Sequence, residues 1–212
     1  MPGIPIQQIV GGNAPATAGS YPVNLRVGPT GELVVQELHG RYYETTARKA
    51  MFSGANLAGV TTSAGFATTY TGFCLTNPIG STVNLVINKV AYGSLVVQAS
   101  ALILGIMTGY NAGTAVTQTT PLVPLSNFVG QPTGVGLIAS AVTLPTAPTR
   151  VKLLDTLTTG AITVSMQGGK VVDLEGGIVI PPGGYACFYT SAASAASSLA
   201  FGIDWEEVAL TL

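Results

Sequence analysis

The sequence predicts an all-β fold, a jelly-roll-like antiparallel β-sandwich with an extended N-terminal arm. Short segments rich in Val, Ile, Thr and aromatic residues are separated by Gly, Pro, Asn and Ser, which is the pattern of strands and turns. In the clearest segments apolar residues alternate with a period of two, as in half-buried strands. Apart from a short Ala/Ser-rich stretch, no window favours a helix, so we expect eight to ten strands in a sandwich or jelly roll.

Residues 1–30 are predicted to form the arm, and residues 31–212 the β domain. Prolines and glycines in the arm prevent a helix and disfavour a central strand. Chain ends are loose unless something holds them, so we expect this segment to dock on its own domain or on a neighbouring subunit. The predicted interaction residues are Pro2, Ile4, Pro5, Ile9, Val10 and Tyr21 in the arm, together with Trp205.

The strands of the β domain are predicted in chain order. Eleven segments are candidates for the eight to ten expected strands, and they cover residues 32–38, 41–46, 65–71, 81–92, 102–107, 137–144, 151–157, 161–166, 177–180, 185–190 and 201–206. In the segment 81–92 the apolar phase slips by one residue, which predicts a β-bulge near Asn88 and Lys89. Residues 181–184, Pro-Pro-Gly-Gly, predict a turn. Residues 191–198 are read as a small-residue loop or a short Ala-rich helix.

Charged residues make up 8% of the chain, against about 25% in ordinary soluble domains. Between Lys49 and Arg150 the only charged residue is Lys89. Interfaces are depleted of charge because desolvating it is costly, so the neutral stretch suggests a surface covered by other protein. The alternative is a neutral, Thr/Ser-rich exterior that tolerates low charge.

Several partner classes are disfavoured. The net charge of −1 and the few local basic groups argue against direct nucleic-acid binding. The most apolar window, 95–107, is too short and too interrupted for a membrane-spanning helix, and the N-terminus lacks an export signal. Cys74 and Cys187 lie on separate apolar runs. Free buried thiols are the default reading, and a disulfide between the two stays open.

The sequence contains little that indicates a catalytic site. His39 is the only histidine, which excludes a multi-histidine metal site. Any Ser-His or Cys-His catalytic site would have to use His39 as its base. Residues 134–139 match Gly-x-Gly-x-x-Ala, but the surroundings are β rather than a strand followed by a helix. We therefore predict no catalytic residue, no metal, no cofactor and no enzymatic activity.

Two acidic groups and several aromatics remain as alternatives. Asp173 with Glu175, and Asp204 with Glu206, are each predicted to share a strand face, where paired carboxylates could bind Ca²⁺ or support glycoside hydrolysis. The simpler reading is a solvent face, with Trp205 on the core face opposite. Trp205 and four tyrosines could alternatively form a sugar platform, or act as core and interface anchors; the tyrosines are Tyr42, Tyr43, Tyr185 and Tyr189.

Two parts of the chain resemble virion structural proteins of tailed bacteriophages. The first is Arg41-Tyr42-Tyr43-Glu44 followed by Ala50-Met51-Phe52-Ser53-Gly54, and the second combines residues 180–185, Ile-Pro-Pro-Gly-Gly-Tyr, with residues 205–208, Trp-Glu-Glu-Val. The resemblance covers about residues 40–210 and lies in general style rather than in a diagnostic motif. It implies a jelly-roll-like, trimeric domain that decorates or cements an icosahedral capsid, and it brings no catalytic residues.

We therefore expect a capsid decoration or cement protein on the virion exterior, made in the host cytoplasm. Its expected partners are further copies of itself, as a homotrimer, and the major capsid protein; nucleic acid and membrane are not expected partners. A phage tail or fibre domain, or another carbohydrate-binding β module, is the main alternative. A glycosidase and a major capsid subunit are weaker ones, the latter because the long helix of the usual tailed-phage shell fold is missing.

Overall fold

The computed structural model describes residues 40–157 and 169–210. One short helix, α1 (Tyr43–Ala47), precedes eleven strands. The strands are β1 (Met51–Ala55), β2 (Thr69–Thr76), β3 (Val83–Ser94), β4 (Leu102–Tyr110), β5 (Thr117–Leu122), β6 (Leu125–Ser126), β7 (Leu137–Thr143), β8 (Thr149–Leu157), β9 (Lys170–Ile180), β10 (Gly184–Thr190) and β11 (Leu199–Ala209).

Eight of these strands form a jelly roll, which confirms the predicted fold class. Strand β1 pairs with β11, β2 with β10, β3 with β9, and β4 with β8, all antiparallel. The first strand thus pairs with the last and the second with the last but one, as in a long hairpin rolled into two sheets. One sheet has the order β1-β11-β3-β9 and the other β2-β10-β4-β8.

The remaining strands, β5, β6 and β7, form an insertion between β4 and β8. Strand β7 pairs with β2 and then with β5, which extends one sheet to six strands. Strand β6 pairs with β1 and extends the other sheet to five. The insertion therefore widens both sheets on the same side of the sandwich, beyond β1 and β2.

Apolar side chains from both sheets meet between them. On β11 the predicted alternation is confirmed, because Phe201, Ile203 and Trp205 are buried in the core. Phe188 stacks on Phe201 with ring centroids 4.2 Å apart, and this contact joins the two sheets. Since burying one large apolar side chain stabilises a fold by roughly 1.5–3 kcal/mol, this layer is the main source of stability.

The six-stranded sheet is also buried on its other face. Along β10, Ala186 and Phe188 belong to the core between the sheets, whereas Tyr185, Cys187 and Tyr189 belong to a second cluster. Successive side chains of a strand point to opposite faces, so the second cluster lies outside the sandwich. Strand β10 is thus enclosed on both faces.

The bulge predicted near Asn88 and Lys89 is confirmed. The pairing of β3 with β9 shifts between Ile87 and Lys89, and the pairing of β3 with β11 shifts between Asp204 and Trp205. Residues 181–184 form the predicted turn, which carries the chain from β9 in one sheet to β10 in the other.

Some predicted strands were wrong in kind or in position. Residues 41–46 form most of α1 rather than a strand: Thr46 N–H donates to Tyr42 O, and Lys49 in the left-handed region (φ 62°) follows the last helical turn. Strand β2 begins at Thr69 rather than at Gly65, because Gly65 lies in a turn with φ 63°. Residues 191–198 form turns and bends and no helix.

Other expectations fall outside the described residues. These are the strands predicted at 32–38 and 161–166, the arm and its boundary near residue 30, and the interaction residues Pro2, Ile4, Pro5, Ile9, Val10 and Tyr21. The compact unit that contains the sandwich begins at Tyr42. Strands β1, β5 and β6 were not predicted.

Candidate interaction surface

Among the residues that the structure describes, those considered for catalysis are not brought together into a site. His39 lies outside the described residues. Residues 134–136 form a loop that leads into β7, so the Gly-x-Gly match does not precede a helix. The Gly136 N–H donates to the Glu207 carboxylate at 2.8 Å, and the loop packs against the Trp205 ring. The two glycines therefore serve a close packing contact.

The two acidic pairs lie on one sheet with a lysine between them. In the strand register Asp204 is opposite Lys89, and Lys89 is opposite Asp173. Ser53 Oγ donates to Asp204 at 2.6 Å, and Tyr42 Oη donates to Asp173 at 3.2 Å. The Lys89 ammonium lies 4.7 Å from the centre of the Tyr42 ring, so a positive charge already occupies this part of the sheet. In the described part of the chain, no three His, Cys, Asp or Glu side chains are grouped as metal ligands.

In both acidic pairs the residue between the two acids is buried: Trp205 on β11 and Leu174 on β9. Asp204 and Glu206 both lie opposite the core face of β11. Asp173 and Glu175 are both exposed on either side of Leu174, and Glu175 adopts a left-handed conformation (φ 52°) among the four residues, 174–177, that stand opposite only Asn88. Partial burial raises the pKa of Glu206, and the nearby Arg48 charge opposes this shift.

Trp205 is not available to a partner. Its side chain is 0% exposed and its ring stacks on Phe52 with centroids 6.0 Å apart. The prediction that Trp205 anchors an interaction is therefore wrong for this structure, and its core placement is confirmed. Tyr185 and Tyr189 are also buried, in the second cluster, so these aromatic side chains act as core anchors and do not form the alternative sugar platform.

The insertion places an uncharged, partly apolar surface at one side of the sandwich. We call residues 117–137, which comprise β5, β6 and the chain leading to β7, the neutral edge. It has no formally charged residue and lies within a stretch, 90–149, that has none either. Val129 is 91% exposed and Val123 is 71% exposed. Four further apolar side chains of the neutral edge are exposed: Leu125, Phe128, Val135 and Leu137.

Charged groups lie at the margin of the neutral edge. Lys49 Nζ sits 5.9 Å from the centre of the Phe128 ring, and Glu207 binds the loop at Gly136. Such an apolar centre with a polar border is the usual arrangement of a protein interface. The uncharged run was visible in the sequence, but its position at a sheet edge depends on pairing that the sequence did not reveal.

The neutral edge does not offer a good template for strand addition. Strand β5 contains Pro121, which lacks an N–H group, and its pairing with β7 is irregular at two points. Strand β6 is only two residues long. Short strands, bulges and prolines blunt a sheet edge against pairing with another strand. A partner would therefore contact side chains rather than extend the sheet.

The opposite side of the sandwich, formed by β8 and β9, provides a comparison. It also exposes apolar side chains, among them Val171 and Val179. Here, however, charged residues are interspersed along both strands: Arg150, Lys152, Asp155, Lys170, Asp173 and Glu175. Interspersed charge keeps a surface soluble and discourages association. The two sides thus differ in charge rather than in the presence of apolar residues.

A shallow depression of about 510 Å³ opens near the turn between β9 and β10. Its lining contains no charged side chain and includes Tyr110, Thr149 and Val179. Tyr110 is exposed. The depression offers an aromatic ring and hydroxyl groups, but among its lining residues there is no acid or base for catalysis.

Comparison of the chain with protein-family models, curated proteins and solved structures finds no match. Within residues 40–157 and 169–210, no helix has the length and hydropathy needed to span a membrane.

Proposed function

We propose that this chain is a non-enzymatic structural protein of a virion, which decorates or cements a tailed-phage capsid as a homotrimer. Its partners are further copies of itself and the major capsid protein, and its place is the capsid exterior. The proposal is supported by the resemblance of residues 40–210 to such proteins and by the neutral edge, which is the observation that carries it.

The neutral edge favours a covered surface for an energetic reason. Burying Val123 and Val129 against protein removes apolar surface from water, and this stabilises the contact by about 25 cal/mol per Å² of buried apolar surface. No charged side chain of the neutral edge has to be desolvated in the process. The same contact on the β8–β9 side would bury Lys152 or Asp173 as well, which costs free energy.

We assign the neutral edge to contact with a second copy of this chain. The insertion that forms it extends both sheets of one subunit, so it presents a broad side rather than a single loop. The arm, residues 1–30, is assigned to the capsid, because a long segment rich in proline, with Arg26 as its only charged side chain, suits docking on an extended shell. Binding of both kinds rests on apolar burial and depends weakly on salt.

Attachment to capsids tests the role in the virion. Purified shells are mixed with the full chain or with a chain that lacks residues 2–22, and bound protein is measured after sedimentation. We expect the full chain to bind and to stay bound near molar salt, and the deletion to bind weakly while its β domain stays folded. Release of the full chain by salt, or normal attachment of the deletion, would contradict the mechanism.

A carbohydrate-binding role is the second candidate, favoured by the exposed Tyr110 ring in the depression. Aromatic rings and hydroxyl groups are suited to neutral sugars. A glycan array with the full chain and with Tyr110→Ala distinguishes the roles. Binding that Tyr110→Ala abolishes would favour a tail or fibre module, and an empty array would remove this candidate.

A further inference from the structure

Cys74 and Cys187 lie side by side on the two central strands of the six-stranded sheet. They are direct partners in the antiparallel pairing of β2 with β10. Their Sγ atoms lie 2.7 Å apart, both as free thiols. Directly opposed residues of antiparallel strands have Cα atoms about 4.5–5.5 Å apart, which is within the range of disulfides. The direct pairing thus brings the two sulfur atoms within reach of a disulfide bond.

The surroundings favour a bond between the sulfurs over metal binding. Both side chains are buried in the second cluster, beside Met107 and Tyr185. In the described part of the chain no third ligand of a metal joins them. Burial raises the pKa of the Cys187 thiol, so the reactive thiolate is scarce at neutral pH and oxidation of the folded protein is slow.

We propose that Cys74 and Cys187 are a disulfide-forming pair that oxidation converts into a covalent link between β2 and β10. The oxidant is a small-molecule disulfide such as oxidised glutathione. One cysteine thiolate attacks it, forming a mixed disulfide and releasing one reduced thiol. The second cysteine then displaces the other thiol. Two cysteine thiols are oxidised, one external disulfide is reduced to two thiols, and the S–S bond closes.

The link would stabilise the fold by joining two neighbouring strands that are far apart in the sequence. It joins residues 113 positions apart, and it lies on the two strands at the middle of the sheet. A cross-link over such a loop restricts the unfolded chain and typically contributes enough to raise the Tm of a domain of this size by roughly 4–16 °C. The inference is independent of the proposed virion role, since it depends on the two thiols alone.

Refolding of the full chain in a glutathione redox buffer tests the proposal, alongside prolonged incubation of the folded protein with oxidised glutathione. We expect a mass decrease equal to two hydrogen atoms in the intact protein, loss of both thiols to alkylation under denaturing conditions, and a Tm rise in the stated range. Dithiothreitol should reverse all three changes.

The single variants Cys74→Ala and Cys187→Ala are the matched controls. Each keeps a small apolar side chain and leaves one thiol, so neither forms the link, and oxidant should not raise its Tm. The proposal is overturned if the wild-type chain keeps two alkylatable thiols in both treatments, or if either single variant gains the same Tm rise. If one variant does not fold, the alkylation result for the wild-type chain and the other variant still decides.

Discussion

The Tyr70 side chain completes a backbone pairing that β2 cannot make by itself. The pairing of β2 with β7 shifts between Thr71 and Cys74, which leaves a gap. Tyr70 Oη donates to Phe188 O at 2.6 Å and accepts from the Phe73 N–H at 3.0 Å. Gly72 leaves room for this ring, because a Cβ there would meet Tyr70 Oη. One hydroxyl thus satisfies two buried backbone groups.

Tyr70→Phe should destabilise the protein by about 1–3 kcal/mol, because it leaves a buried N–H and a buried carbonyl without this partner. Urea unfolding followed by circular dichroism measures the difference. Tyr110→Phe is the control, since the Tyr110 side chain is exposed and its hydroxyl loss should change stability by less than about 0.5 kcal/mol. Equal stability of the Tyr70 variant and the wild type would show that the hydroxyl is dispensable.

Asp155 lies at the centre of a polar group that ties β8 to β3 and β9. Partial burial by itself raises its pKa, but hydrogen bonds from Lys170, the Thr156 N–H and Tyr92 together lower the pKa below its ordinary value. Lys170 Nζ lies 2.6 Å from Asp155 Oδ2, and Tyr92 Oη lies 3.0 Å from it. Burial, the hydrogen bond to Asp155 and the negative charge of Asp155 raise the pKa of Tyr92 to about 12.

Asp155→Asn should therefore cost stability in a pH-dependent way. A carboxyl whose pKa is lowered by folding stabilises the fold above its unfolded pKa, about 3.8, and loses this effect as the pH falls through the folded value. We expect a loss of about 0.5–1 kcal/mol at pH 7 that shrinks below about pH 4. Urea unfolding at pH 7 and pH 3 measures it, and an undiminished difference at pH 3 would contradict this account.

Single residues show how far the sequence could predict the candidate site. The core position of Trp205 followed from its alternation with Asp204 and Glu206, so its burial was predictable, and the separate expectation that it anchors an interaction was wrong. The 2.7 Å approach of Cys74 to Cys187 was not predictable, because it depends on the register of two strands 113 residues apart. Registers over such distances are set by the whole core rather than by local sequence.

At the scale of elements, long apolar strands were predicted and short polar ones were not. Strand β3 has a clear alternation and a phase slip, and both its extent and its bulge were recognised. Strands β5 and β6 have mostly exposed side chains and a proline, so no apolar period marks them. The segment of helix α1 was predicted to be a strand because Tyr and Thr generally favour strands. In the structure, hydrogen bonds between backbone groups four residues apart make it helical instead.

The turn between β9 and β10 is held against the start of the insertion. Gly183 has φ 83°, and its N–H donates to Asn77 O. A Cβ at this position would lie 2.6 Å from Asn111 O, which is backbone and cannot easily move aside. Both the conformation and the space thus require glycine.

Gly183→Ala should destabilise the protein by more than about 2 kcal/mol, from left-handed strain of about 1–2 kcal/mol together with the backbone clash. Gly80→Ala is the matched control, because Gly80 has φ 79° but nothing within 4 Å of the added Cβ. It should show the strain alone. Thermal unfolding of both variants compares them; equal losses would mean that the packing against Asn111 contributes nothing.

At the scale of the whole molecule, charged residues are unevenly distributed over the described structure. The jelly roll carries most charged residues of the described chain on α1, β8, β9 and β11, whereas the insertion carries none. The sequence could predict the fold class and the presence of an uncharged surface. It could not predict that β5 and β6 place this surface on one side of both sheets, since that depends on their pairing with β7 and β1.

The central claim is that copies of this chain cover the neutral edge, and the mass of the purified protein in solution tests it most directly. Light scattering should give about 65 kDa for three 21.5-kDa copies of the wild type, with little change near molar salt. Val129→Lys should shift the mass toward one copy, because it places a charge in the contact. Val171→Lys is the matched control, because it introduces the same charge at an exposed valine on the charged β9 side, and it should leave the trimer intact. A single-copy mass for the wild type, or loss of the trimer with Val171→Lys but not with Val129→Lys, would contradict the account.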